Sequence, residues 1–127
     1  MAEQIINNKN EKKVDEDVKT IVYDSFDSMD FLNFELLKGI FDYGFKNPSR
    51  IQNLAIKEIF DGHDVIAQSQ SGTGKTGAFT IGSLSNCDPK LKSPQVIIIA
   101  NTRTLACQII KVVENLSVEM NITACLC

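Results

Sequence analysis

"VIAQSQSGTGKTGAFTIG", residues 65–82, decides how the rest of the chain is read. A short β-rich run, "DVIAQS", flows into a glycine-rich loop, and "KTGAFTIGSL" follows as a helix. A loop that holds phosphates needs glycines, so that successive backbone N–H groups turn inward with no Cβ in the way; Gly72 and Gly74 supply them. Such a loop must also open a helix, whose positive N-terminal end favours an anion. Lys75 then reaches the β- and γ-phosphates as a point charge, and the Thr76 hydroxyl suits Mg²⁺. The strict pattern G-x-x-x-x-G-K-S/T has glycine where this chain has Ser69, a residue nearly as small. The plain alternative is a glycine-rich turn that only caps a helix. A phosphate loop alone does not choose among kinases, GTPases, transport ATPases and helicases.

Working outward, "NFELLKGIFDYG" puts Leu36, Leu37, Ile40 and Phe41 on one helical face, with Gly44 as the stop. In "NPSRIQNLAIKEIFDG", Pro48 and Ser49 mark a helix start, Ile51, Ala55, Ile56, Ile59 and Phe60 its apolar stripe, and Gly62 its end. Beyond a polar loop at 85–94, "QVIIIA" reads as a buried strand. "TRTLACQIIKVVENLSVEM" carries Leu105, Ile109, Val112, Val113 and Leu116 at helical spacing, and "NITACLC" reads as a third strand. Strands alternating with helices predict an α/β fold with a parallel sheet flanked by helices. Three strands make a small sheet for that architecture, so the chain reads as the first part of something larger. Residues 1–22 are rich in Lys, Glu, Asp and Asn and read as a flexible charged tail, with the globular part at 23–127.

With 43% hydrophobic and 23% charged residues among 127, the composition suits one globular domain. The net charge of −3 lends a nucleic-acid partner no support from the overall field, so that case rests on local residues. "VIIIA" falls far short of the roughly 20 apolar residues of a membrane span, and the N-terminus lacks a signal-peptide core, so no membrane partner is expected. Cys87, Cys107, Cys125 and Cys127 fit neither a CxxC knuckle nor a secreted disulfide framework. They read as free thiols in a reducing compartment, cytoplasmic by default with the nucleus as the other option. His63 reads as solvated surface.

Two neighbouring stretches narrow the choice. "GFKNPSRIQ" (44–52) resembles the Q motif of DEAD-box ATP-dependent RNA helicases, "IAQSQSGTGKT" their motif I, and "TRTLACQ" a variant of their motif Ia, usually PTRELAxQ. The three occur in the family's order over about residues 23–127, and the match leans towards the branch that works in translation initiation and its nuclear, exon-junction relative. The resemblance implies an incomplete RecA-like P-loop domain, ATP and Mg²⁺ as cofactors, RNA as substrate, and translation-initiation or exon-junction scaffold proteins as further partners. It assigns nucleotide contacts to Ser69, Gln70, Ser71, Gly72, Thr73, Gly74, Lys75, Thr76 and Gly77, with Lys75 and Thr76 also catalytic and Thr76 on the metal. Gln52 would read adenine, since an amide's donor and acceptor match the N6 and N7 edge and reject guanine. The backbone carbonyl of Asn47 would take part, and Phe26 is the candidate to stack on the base, although it stands one residue farther from Gly44 than the family's pattern has it. Without the resemblance, Gln52 reads as an exposed helix residue and Phe26 as a core anchor.

Thr102 and Arg103 match the RNA-contacting motif Ia and suit a sugar–phosphate backbone, whereas Asn101 for Pro and Thr104 for Glu depart from it and put the grip on RNA in question. Thr102 also suits a plain helix cap. Hydrolysis needs metal-bound carboxylates, a group that orients water, and positive charge on the γ-phosphate. The family's Asp-Glu-Ala-Asp and Ser-Ala-Thr motifs are not found here, and "DEDV" at 15–18 precedes the Q motif and follows no buried strand. The expectation is therefore the opening segment of a helicase, with the ATP-binding part and part of the RNA-contacting surface, and without ATP hydrolysis by this segment alone. A non-catalytic ATP- or partner-binding fragment is the alternative. A small-molecule kinase or GTPase is disfavoured, because no Asn-Lys-x-Asp motif follows.

Overall fold

The structure, a computed structural model, describes residues 4–7 and 21–127. Helix starts are fixed by short polar side chains that accept the first orphan amides. Asn33 accepts from Leu36 N at 2.8 Å and opens α1, Phe34–Asp42. Ser49 opens α2, Arg50–Phe60, through a capping box: its hydroxyl takes Gln52 N at 3.4 Å, while Gln52 Oε1 takes Ser49 N at 2.8 Å. β2, Val65–Gln68, leads through the glycine-rich loop into α3, Lys75–Leu84. Thr102 opens α4, Arg103–Leu116. Gly44 and Gly62, both with positive φ, follow α1 and α2 closely, at or next to the stops expected of them.

The apolar stripes meet in one core. Leu36 and Ile40 of α1, Ala55 and Ile56 of α2, Ala78 and Ile81 of α3, and Leu116 of α4 are buried there. The 3₁₀ turn Phe26–Ser28 sends Phe26 into the same core. Ile51 is fully buried as expected, whereas Phe41 is 43% exposed and Leu105 37%. α2 lies along α3, and α1 meets α4 so closely that a Cβ on Gly39 would stand 2.1 Å from the Leu116 carbonyl oxygen. Tyr23 N donates to Asn53 Oδ1 at 2.7 Å, tying the incoming chain to α2. His63 is exposed, its ring 2.8 Å from Glu58. The Cys87 thiol is pushed up from its ordinary pKa by burial, and the four cysteines are unbridged. No helix among the described residues is long and apolar enough to cross a membrane.

Strand pairing differs from the expected parallel sheet. Among the described residues the sheet has two antiparallel strands, β2 and β1, Gln4–Asn7, in the register Gln4↔Gln68 to Asn7↔Val65. β1 falls inside the expected charged tail, whose residues 1–3 and 8–20 lie outside the described residues. "VIIIA" and "NITACLC" run without a ladder, and Ile97 and Ile99 are 83% and 90% exposed. The physical reason is plain: apolar pattern marks a segment fit for burial, but a strand exists only with a neighbour about 4.8 Å away. The faces left open line a groove of about 440 Å³ walled by Thr80, Leu84, Ile98, Ile109 and Ile122. Thr80 Oγ1 is buried in that wall without a hydrogen-bond partner among the described residues.

Candidate functional site

The loop between β2 and α3 turns on its glycines. Gly72 and Gly74 take φ of +79° and +97°, the left-handed region that side chains rarely occupy. Gly74 is also the N-cap of α3, and no side chain caps that helix. Its first intrahelical bond runs from Ala78 N to the Gly74 carbonyl at 3.0 Å. The amides of Lys75, Thr76 and Gly77 precede that bond and point out of the helix end, where the dipole is positive.

Lys75 turns back over the loop, and its ammonium donates to the carbonyls of Ser69 and Gln70, both at 2.7 Å. The Thr73 hydroxyl donates to the Gln70 carbonyl at 2.8 Å and lies 2.5 Å from the Ser69 hydroxyl. Gln70, Ser71 and Gly72 are exposed, whereas Ser69 and Thr73 to Thr76 are half-buried. Gly77 is buried.

α2 backs this loop through Gln52. The side chain is 2% exposed; Oε1 accepts from Ser49 N, and Nε2 donates to the Gly74 carbonyl at 3.2 Å. Contact is close: a Cβ at Gly74 would stand 2.8 Å from Gln52 Nε2, and one at Gly77 in α3 would stand 2.7 Å from it, so either would push the Gln52 amide aside. The structure therefore joins "GFKNPSRIQ" to the phosphate loop at Gln52. The exposed helix residue that the plain reading expects is instead a buried linker.

The remaining residues are placed less directly. Asn47 is exposed in the turn between α1 and α2, five positions before Gln52. Phe26 is 0% exposed, its ring 6.1 Å from that of Phe45, so it presents no free face to a base in this conformation. The aromatic ring against the start of α3 is Phe45, whose Cζ would lie 3.1 Å from a Cβ on Gly77; the ring of Tyr43, 41% exposed, lies 4.9 Å from that of Phe45 at a tilt of 53°. Sequence reasoning passed over Phe45, although it follows Gly44 inside the quoted stretch. It also passed over Ser49 as Gln52's partner, which the spacing S-x-x-Q signals directly.

Thr102 and Arg103 sit at a second helix N-terminus. Thr102 Oγ1 accepts from Leu105 N at 3.2 Å, so its side chain caps α4, and residues 101–105 are all exposed.

Comparison with known proteins follows the same lines. Residues 49–127 match the family model described as DEAD/DEAH box helicase. The "ATP-dependent RNA helicase eIF4A" of Candida glabrata is 49% identical over 117 residues, covering 92% of this chain and 29% of that protein. The protein of the same name from Aspergillus niger is 57% identical over 106 residues, covering 84% of this chain and 26% of that one. Among solved structures, "S. cerevisiae Dbp5 bound to RNA and ADP BeF3" is 40% identical with a TM-score of 0.71, covering 80% of this chain and 26% of the other. The chain thus spans less than a third of the length of these relatives. The likeness to Dbp5 carries the fold class, an incomplete RecA-like P-loop domain, even though the strand pairing here is confined to β1 and β2.

Proposed function

This chain belongs to the DEAD/DEAH box helicase family, and from that premise we propose that it is the ATP-binding portion of an ATP-dependent RNA helicase of the eIF4A kind. One observation carries the reading: the uncapped N-terminus of α3, wrapped by a glycine loop and backed by Gln52. The amides from Gly72 to Gly77 would bind phosphate oxygens, and Lys75 would exchange its two carbonyls for the β- and γ-phosphates. Mg²⁺ fits the half-buried Thr76 hydroxyl beside them, as a hard cation that takes oxygen ligands; when bound it neutralises charge on the phosphates.

Gln52 uses one lone pair and one hydrogen inside the protein, which leaves one of each for the N6 and N7 edge of adenine. At 2% exposure it meets the base only if the loop shifts as nucleotide enters. Phe45 is better placed than Phe26 to offer the base a ring, with the Asn47 carbonyl nearby in the chain. RNA would lie at the exposed start of α4, on Arg103. We assign hydrolysis and unwinding to the helicase as a whole, because this chain supplies the phosphate cradle and no cluster of metal-binding acids occurs among the described residues. The likeness to relatives named eIF4A supports a role in translation initiation over an exon-junction one, and the cytoplasm is the compartment proposed with it, the nucleus being the other option.

Calorimetric titration with ATP and GTP tests the reading. Binding of ATP well ahead of GTP, lost on Lys75→Ala, is the expected result. Equal affinity for the two nucleotides would remove the role given to Gln52, and binding indifferent to Lys75→Ala would remove the site.

A further inference from the structure

We infer that Ser93, in the loop that joins α3 to "VIIIA", is a phosphorylation site for a proline-directed serine kinase. The inference stands apart from the phosphate loop and from the function proposed above. The sequence picks out a single candidate. Pro48 follows Asn47 and Pro89 follows Asp88, so of the three prolines only Pro94 follows a hydroxyl-bearing residue. Proline fixes its own φ and keeps the residue before it out of the helical region, which is the local shape such a kinase reads around its acceptor.

The fold makes that serine reachable, because the loop is tied at its base and open at its tip. Asp88 N donates to Gln95 Oε1 at 2.8 Å, and Gln95 Nε2 donates back to the Asp88 carbonyl at 2.8 Å. Within this clamp the Asp88 carboxylate accepts from Lys90 N at 2.9 Å, and its carbonyl accepts from Leu91 N at 3.1 Å. Residues 88–99 are exposed, and 91–99 belong to no helix or ladder. Another enzyme's cleft can therefore take the tip without opening a helix or a strand pair. The Ser93 hydroxyl makes no hydrogen bond among the described residues, whereas those of Ser28, Ser49, Ser69, Ser85 and Thr102 are engaged.

Local charge favours the product. The chain as a whole carries −3, yet the charged residues of 89–113 are Lys90, Lys92, Arg103 and Lys111, all cations. Asp88, at the base of the loop, is the nearest carboxylate in sequence. A phosphate of about −2 at position 93 is thus flanked by ammonium groups and is attracted more than repelled. In the step itself, Ser93 Oγ attacks the γ-phosphorus of ATP held by the kinase. The new O–P bond forms as the bond to the β–γ bridging oxygen breaks; ADP leaves, and the hydroxyl proton passes to the kinase's base.

The test incubates the full chain with a purified proline-directed serine/threonine kinase, ATP and Mg²⁺, and locates phosphate by tandem mass spectrometry. One phosphate per chain is expected, on Ser93: lost in Ser93→Ala, kept in Ser93→Thr, and added at least several-fold more slowly in Pro94→Ala. A synthetic peptide of residues 86–97 supplies the second measure, and the folded chain should react at a rate within a few-fold of the peptide's. Absence of phosphate on Ser93, or incorporation unchanged by Ser93→Ala, would overturn the assignment. A folded chain left unmodified while the peptide reacts would overturn it as well, since the loop would then not be open to the kinase.

Discussion

The helix N-termini of α3 and α4 offer an anion the same dipole, yet they are built in opposite ways. At α4 the Thr102 hydroxyl already accepts from Leu105 N, and every residue from 101 to 105 is exposed. At α3 no side chain caps the helix, and the carbonyl of the glycine that starts it accepts from Gln52 of α2, with no room for a Cβ beside Gln52 and the Ser49 that caps α2. The difference separates two uses of one physical feature. A dipole alone, screened by water and satisfied by its own threonine, makes a helix end stable. Under the proposed function, open amides backed by α2 make the other end a receptor for phosphate.

Substitutions at the two ends should break this contrast in graded fashion. The largest effect is expected from Lys75→Ala: loss of a charged donor to phosphate should weaken ATP binding by about 100-fold by calorimetry, with the fold intact by circular dichroism. Gly74→Ala comes next. It forces a side chain into φ +97° and into Gln52, which should lower stability by about 2 kcal/mol in urea denaturation and impair ATP binding as well. Gln52→Ala removes half of a capping box and the link to Gly74, for about 1–2 kcal/mol, and should also narrow the gap between ATP and GTP.

At the other helix, Thr102→Ala should cost about 1 kcal/mol of stability as a lost cap and leave ATP affinity unchanged. Arg103→Ala, the mildest, should leave both stability and ATP binding alone; it would weaken RNA binding by a few-fold and reduce its salt slope by about 1, read by anisotropy across a salt series. If Thr102→Ala disturbed ATP binding as strongly as Gly74→Ala, the two ends would not be the different devices described here.

Local chemistry was the legible part of this molecule. Asn33, Ser49 and Thr102 each open a helix where a short polar side chain precedes an apolar stripe, and Gly44 and Gly62 close helices with positive φ. The loop's glycines announced their conformation for the same reason: few residues other than glycine tolerate it. What depended on a distant partner was not legible. Gln52 reads as a surface residue until α2 is laid along α3, and only that packing turns its amide into a bridge to Gly74. Phe26 and Phe45 are equivalent in hydrophobicity, but one is carried into the core and the other against Gly77. "VIIIA" and "NITACLC" show strand pattern correctly as a fitness for burial, and nothing in a pattern says which neighbour will pair with them.

Amide chemical-shift and exchange mapping on addition of ADP, with the full chain, tests the central claim most directly. The account predicts large shifts and protection at Gly72–Gly77 together with the Gln52 side-chain amide, and no change at Arg103–Leu105. Perturbation of the α4 start equal to that of the loop, or a silent loop in the presence of bound nucleotide, would contradict it.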